Sequence, residues 1–154
     1  MSGMTIRPAG WLPSGGRTLA ASAEALPVLL DTTVLIDVLR GRSAADRLHA
    51  LRRSREVPFV CCINVEEIWR GIRPGEEDDA TRLVDGLRTA DLGVTEGRRA
   101  GRWRREAAAE GVTLSQADCL IAAAAVGVGA RLATGNPRHF PMEELEVEHW
   151  PAGE

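Results

Sequence analysis

Val28–Asp37 has the sequence VLLDTTVLID, and this stretch decides the fold. The aliphatic run Val28–Leu30 predicts a short buried strand, because strands covered on both faces carry continuous aliphatic runs instead of an alternating pattern. Asp31 ends this strand, and Thr32–Leu39 is predicted to form a helix that Gly41 closes. A buried strand that passes directly into a helix is typical of α/β folds.

The remaining chain continues this alternation of short strands and helices. Further helices are predicted from Ser43 onward, and at about Asn64–Ile72, Glu76–Thr89, Glu96–Glu110 and Ser115–Val126. Further strands are predicted at Pro58–Cys61, Leu92–Val94, Arg131–Thr134 and Leu145–His149. This order of elements indicates an α/β sandwich with a mostly parallel sheet.

The first part of the chain differs from the rest. Residues 1–26 contain several Gly and Pro residues and show neither a helical nor a strand period. We interpret them as a flexible N-terminal extension, residues 27–150 as a single domain and residues 151–154 as a short C-terminal tail. A chain of 154 residues is long enough for one domain with a real core.

The composition excludes several classes of function. The 19 basic residues are all Arg, and the absence of Lys excludes a Walker A nucleotide site and a Schiff-base enzyme. The longest apolar run, Cys119–Val128, is too short to span a membrane. Three cysteines without zinc or disulfide spacing favour reduced thiols, so we expect a cytoplasmic protein with no membrane partner.

Three acids stand at positions that either a functional site or helix capping would explain. Asp31 ends the first strand, Glu67 lies in the helix after the second, and Asp118 opens the apolar helix. Each alone is explained by helix capping, because Asp31 can be an N-cap and residues 64–67 and 115–118 have capping-box spacing. The capping explanation weakens for the three together, because parallel strands in an open sheet lead into one crevice.

A cluster of these carboxylates needs a positive partner. No Arg lies within ten residues of Asp118, and carboxylates that gather in one place raise one another's pKa. A divalent cation removes this penalty, and a site of carboxylates favours Mg2+ or Mn2+ over zinc. His49, His139 and His149 lack the spacing of a metal site, so we interpret them as ordinary surface or core histidines.

Four stretches resemble the motifs of PIN-domain proteins, in particular the VapC-type toxins of bacterial type II toxin–antitoxin systems. They are residues 29–37, 63–71, 114–123 and 132–140. The second motif has its acid four residues before a Gly, and this register selects Glu67 over Glu66. The fold that the resemblance implies is a PIN-like three-layer α/β/α sandwich with a mostly parallel central sheet.

The resemblance implies a metal-dependent endoribonuclease that leaves a 5′-phosphate and a 3′-hydroxyl. Its expected cation, Mg2+ or Mn2+, is held by Asp31, Glu67 and Asp118, with Asn136 as a fourth catalytic residue that orients water. The fourth motif departs from the family, because Asn136 and His139 stand where an Asp is common. The implied partners are the RNA substrate, a cognate VapB-type antitoxin and a second copy of the chain in a homodimer.

Substrate-binding candidates are the two hydroxyls after Asp31, two arginines that follow the helix of Glu67, and one arginine of the charged helix at residues 96–110. They are Thr32, Thr33, Arg70, Arg73 and Arg102. The hydroxyls have an equally good explanation as polar groups at a helix start, and the arginines around position 102 have one as a solvated helix face. Uncovered apolar faces on the helices in residues 32–53 are the further reason to expect a homodimer.

Two other functions compete with a nuclease. One is a catalytically weak PIN-like module that only binds RNA or protein, although such a scaffold would be expected to have lost acids. The other, more remote, is a phosphatase of the haloacid-dehalogenase type, which needs a second Asp where this chain has Thr33 and usually a downstream Lys.

Overall fold

The computed structural model describes residues 25–153, and its centre is a five-stranded sheet. The strands are β1 (Leu26–Leu30), β2 (Glu56–Val60), β3 (Arg88–Thr89), β4 (Arg131–Thr134) and β5 (Val147–His149). Their order is β3-β2-β1-β4-β5, and every described pairing is parallel. The prediction of a flexible extension in residues 1–26 lies outside the described residues except at its end, where it is wrong for Leu26, because β1 begins there.

Six α-helices connect and cover the strands in residues 25–153. They are α1 (Thr32–Leu39), α2 (Ser43–Arg53), α3 (Cys62–Gly71), α4 (Glu77–Asp85), α5 (Val94–Ala109) and α6 (Gln116–Gly127). A 3-10 turn, Pro137–His139, follows β4. Within this part of the chain, none of the helices has the length and apolar character needed to cross a bilayer.

The side chains of the central strands alternate between two cores. Val28 and Leu30 pack with α1–α4 on one face of the sheet, while Leu29 packs with α5 and α6 on the other. In β4, Leu132 packs in the same core as Leu29, and Ala133 packs in the same core as Val28 and Leu30. The predicted three-layer α/β/α sandwich is therefore confirmed, and β1 is covered on both faces as its aliphatic run required.

The strand order creates a crevice beside the first acid. The chain leaves β1 toward β2 and β3, then returns to the other side of β1 to form β4 and β5. Such a reversal is a topological switch point, where open parallel sheets bind ligands at the carboxyl ends of their strands. Leu30 pairs with Ala133 at that end, and the Asp31 N–H donates to the Ala133 carbonyl at 2.9 Å.

The strand prediction for Leu92–Val94 is wrong. The third strand is instead Arg88–Thr89, which pairs with Phe59 and Val60 of β2. Helix α5 already begins at Val94, because the Gly93 N–H donates to Glu96 Oε2 at 2.9 Å and Gly93 caps the helix. The preceding helix ends at Asp85, and not at Thr89, so that the chain can extend into β3.

The capping box predicted for residues 64–67 is also wrong. Helix α3 begins at Cys62, with Cys61 as its N-cap, and Asn64 is the third helical residue. The Asn64 Oδ1 accepts hydrogen bonds from the Cys61 N–H at 3.0 Å and the Cys61 thiol at 3.1 Å. Because Asn64 closes the helix start, Glu67 has no capping role.

The apolar faces predicted to be uncovered in residues 32–53 are covered within the monomer. Ala44, Leu48 and Leu51 of α2 are buried in the same core as β1 and α1. In residues 25–153 the exposed large hydrophobic residues are Leu26, Trp69, Val94 and Val112, and all lie elsewhere. This argument for a homodimer is therefore removed, while the dimer itself stays a prediction.

Candidate active site

Asp31 is the buried acid at the switch point. It is the N-cap of α1, and the residue is only 6% exposed. Both of its carboxylate oxygens accept hydrogen bonds. Oδ1 accepts from the Thr32 N–H at 2.8 Å, and Oδ2 accepts from the Thr134 hydroxyl at 2.7 Å. Burial nevertheless raises the pKa of Asp31 above its usual 3.8, and the charges of Asp118 and Glu67 raise it further.

The predicted substrate-binding threonines are engaged within the chain. The Thr33 hydroxyl donates to Asp31 Oδ2 at 3.3 Å and accepts from the Gly135 N–H at 3.0 Å. The Thr32 hydroxyl accepts from Asn64 Nδ2 at 3.1 Å. In the structure these hydroxyls therefore hold Asp31, the loop after β4 and the start of α3 in place.

Asn64 and Thr134 are two buried side chains that sequence reasoning missed. Asn64 connects the starts of α3 and α1, because it bonds both Cys61 and Thr32. Thr134 connects β4 to β1 through Asp31. A signal existed for each, since both lie in the motif stretches beside the acids, but neither spacing nor residue type showed what they contact.

Glu67 and Glu66 point in different directions. Glu67 is half-buried, and its charge raises the pKa of Asp31. The Glu66 side chain is 63% exposed, and its Oε1 lies 3.8 Å from Arg70 Nε across one helical turn. The structure therefore turns Glu67 toward the crevice and Glu66 toward solvent.

Asp118 stands in the first turn of α6. Its backbone N–H donates to the Ser115 hydroxyl at 3.0 Å, so the predicted N-cap of this helix is confirmed. The Asp118 side chain is 24% exposed, and its Oδ2 lies 3.4 Å from His139 Nδ1. His139, interpreted from the sequence as an ordinary histidine, is thus a neighbour of a candidate site acid.

Asn136 is exposed at the mouth of the crevice. Its N–H donates to the Thr134 hydroxyl at 3.0 Å, and the residue precedes the 3-10 turn that carries His139. Thr134 therefore links the Asn136 backbone to Asp31, while the Asn136 residue is exposed to solvent.

Two of the three arginines predicted to bind substrate are paired with acids of this chain. Arg70 pairs with Glu66, and Arg102 donates to Glu144 Oε1 at 2.8 Å. Arg73 is exposed and lies after α3, whose C-cap is Ile72. Arg102 is thus held by an acid of its own chain, as the solvated-face explanation requires.

The donor set fits a hard cation that keeps much of its water. Asp31, Glu67 and Asp118 offer carboxylate oxygens whose mutual repulsion a divalent ion would relieve. Across residues 25–153, no three His, Cys, Asp or Glu side chains close around one point as a finished metal site. Mg2+ commonly binds through one or two carboxylates with several waters, so this open arrangement suits it better than zinc.

Comparisons with known proteins identify the family of the chain. A protein-family model described as "PIN domain" matches residues 28–143. Ribonuclease VapC19 of Mycobacterium tuberculosis (strain ATCC 25618 / H37Rv) is 37% identical over 120 residues, which cover 74% of this chain and 92% of the relative. Ribonuclease VapC10 of the same strain is 34% identical over 118 residues, covering 76% and 88%.

Solved structures support the fold alone, since their sequence identity is low. A VapBC2 structure from Rickettsia felis, bound to a DNA fragment from its promoter, superposes with a TM-score of 0.70 at 22% identity, covering 81% of this chain and 99% of that one. VapBC-1 from nontypeable Haemophilus influenzae gives a TM-score of 0.69 at 20% identity, covering 81% and 98%. Fold, motifs and relatives agree, and the chain belongs to the PIN domain family, in the branch that contains the VapC ribonucleases.

Proposed function

We propose that this protein is a Mg2+- or Mn2+-dependent endoribonuclease that acts as the toxin of a toxin–antitoxin pair. The observation that carries the proposal is the convergence of three acidic charges at the switch point, where Asp118 and Glu67 both raise the pKa of buried Asp31. Relatives named as ribonucleases, at 37% and 34% identity, support the reaction class. A scaffold that only binds RNA has no need to maintain this repulsion.

The chain's own residues would hold the reacting groups in place. Asp31 is fixed by Thr134 and the start of α1, while Glu67 and Asp118 approach it from α3 and α6. The chemistry that a bound Mg2+ or Mn2+ ion supplies is activation of water and neutralisation of the charge that develops on the phosphate. Water adds to phosphorus and the P–O3′ bond breaks, which leaves a 5′-phosphate and a 3′-hydroxyl.

The partners belong to the same proposal. Structural neighbours named as VapBC assemblies support a VapB-type antitoxin as the neutralising partner, and we infer a homodimer as the form that binds it. The three free cysteines suit the reducing cytoplasm. Light scattering of the purified protein, alone and co-expressed with its neighbouring gene product, tests both partners.

Metal dependence is the decisive test of the reaction. We expect purified protein to cleave RNA in Mg2+ or Mn2+ and to stop in excess EDTA, with recovery when the metal is restored. Calorimetric titration of Mn2+ into wild type and Asp118→Asn should give binding that the variant weakens. Full activity in excess chelator would refute the metal dependence of cleavage. Mn2+ binding without RNA cleavage would favour the module that only binds RNA or protein.

A further inference from the structure

A cavity lies next to Asp118, at the carboxyl ends of β4 and β5. Its volume is about 320 Å³, which is at the lower end of the range of small-molecule pockets, and it is open to solvent. It is lined by Gly135, Asn136, Pro137, Arg138, His139 and His149. We call it the β4–β5 cavity. His149 reaches it because it ends β5 and pairs with Thr134 of β4.

The lining of the β4–β5 cavity contains no acid, in a protein with a net charge of -3. Arg138 is exposed and has no ion pair within residues 25–153, whereas Arg70 and Arg102 are paired with acids of this chain. Its guanidinium is therefore available to an anion. Histidine rings offer flat faces on which a nucleobase stacks, and Arg binds phosphate through charge-assisted hydrogen bonds.

The cavity is directly connected to the candidate active site. His139 Nδ1 lies 3.4 Å from Asp118 Oδ2, so one side chain faces both the cavity and an acid. On the other side, the Asn136 N–H donates at 3.0 Å to the Thr134 hydroxyl, which donates at 2.7 Å to Asp31 Oδ2. A ligand in the cavity would thus lie next to a phosphodiester held by the acids.

We propose that the β4–β5 cavity binds the RNA nucleotide that flanks the cleaved bond. Arg138 binds the phosphate of this nucleotide, and its base lies against the imidazoles of His139 and His149. This inference rests on the proposed function and adds a subsite to it. A nucleotide fits better than an acidic protein segment, because the cavity combines one free arginine with flat rings and amide groups that can contact a base.

Steady-state cleavage of a 5′-labelled RNA tests the subsite. We expect Arg138→Ala to raise KM about tenfold or more with little change in kcat, because it removes a charge-assisted contact to substrate. His149→Ala should alter the preferred base beside the cut, as mapped by sequencing the 5′ ends of the products. Arg53→Ala is the matched control, since Arg53 is an exposed arginine at the end of α2 and does not line the cavity.

A measurement independent of cleavage separates this inference from the proposed function. RNA of randomised sequence carrying 4-thiouridine is irradiated with the wild-type protein in EDTA, and the tryptic peptides are identified by mass spectrometry. Crosslinks are expected in residues 132–138 and 139–154. Crosslinks confined to α5, or unchanged KM and cut-site preference in both variants of an active enzyme, would overturn the subsite. Absence of cleavage by wild type in Mg2+ and Mn2+ would overturn the nuclease instead.

Discussion

At the scale of single residues, burial of the Asp31 carboxylate lowers the stability of the fold at the position proposed for catalysis. Its carboxylate is buried, and hydrogen bonds from Thr134 and Thr32 offset only part of the cost, so its pKa stays raised. A carboxyl whose pKa is raised by folding stabilises the fold fully below its unfolded pKa, and this contribution is lost as the pH rises through the folded pKa. Above its raised pKa the ionised Asp31 therefore destabilises the folded protein, a cost that is common at functional sites.

Asp31→Asn should raise Tm by a few degrees at pH 7 in EDTA, because the neutral amide removes the buried charge. The gain should shrink as the pH falls through the raised pKa of folded Asp31, and it should be gone below 3.8, where Asp31 is protonated in both the folded and the unfolded chain. Thermal unfolding followed by circular dichroism between pH 3.5 and 7.5 measures both effects. A lower Tm for the variant at pH 7 would mean that lost hydrogen bonds outweigh the removed charge.

Asp37→Asn is the matched control for that experiment. Asp37 is equally buried but is paired with Arg42 at 2.6 Å and accepts a hydrogen bond from the Gly153 N–H at 2.8 Å. Removing its charge leaves Arg42 without its partner, so the same chemical change should lower Tm.

Glu67→Gln should reduce RNA cleavage about a hundredfold or more, while Glu66→Gln should stay near wild type. Only Glu67 shares the electrostatic environment of Asp31, whereas Glu66 pairs with Arg70 in solvent. Initial rates on labelled RNA at saturating Mn2+ measure the difference. The reverse result in two folded variants would place the wrong member of this pair in the crevice.

The elements were predictable in proportion to the strength of their sequence patterns. β1 and α1 follow from an aliphatic run and a capping Asp, and α6 from its apolar composition. β3 is only two residues long, both exposed, and it exists through pairing with β2. Such a strand has no pattern of its own, which explains why Leu92–Val94 was the stronger candidate by sequence.

Asn64→Ala should destabilise the protein by about 2–4 kcal/mol, because it leaves the buried Cys61 N–H and Thr32 hydroxyl without this partner. Ser115→Ala should lose only about 1 kcal/mol, since it removes an exposed N-cap bond to Asp118. Urea unfolding of both variants gives the comparison. Equal losses would show that the contact between α3 and α1 contributes no more than an ordinary cap.

At the scale of the whole molecule, contacts between segments far apart in sequence are the part of the site that sequence motifs could not predict. Sequence motifs predicted the three-layer fold and the acids that converge, because parallel strands bring their carboxyl ends together. They could not predict that Thr134 bonds Asp31 or that His139 lies beside Asp118. Both contacts join separate segments, and the bond between Asp31 and Thr134 depends on the register of β1 against β4.

Deleting residues 151–154 should destabilise the protein by about 1–3 kcal/mol, although the sequence suggests only a short tail there. The Gly153 N–H bonds Asp37, and Ala152 packs so near Gly135 that a Cβ added there would lie 3.1 Å from the Ala152 Cβ. Urea unfolding of the truncated chain checks this. Unchanged stability would mean that Asp37 finds water in place of the tail.

The long separation between Asp31 and its Thr134 partner has a consequence for synthesis. The two residues are 103 positions apart, so at about 5–20 residues per second roughly 5–20 s pass between their appearance on the ribosome. During that interval Asp31 lacks the strand that completes the crevice. The nascent chain should therefore be inactive until β4 has emerged and docked, and ribosome-bound chains arrested before Arg131 should cleave no RNA while released full-length chains do.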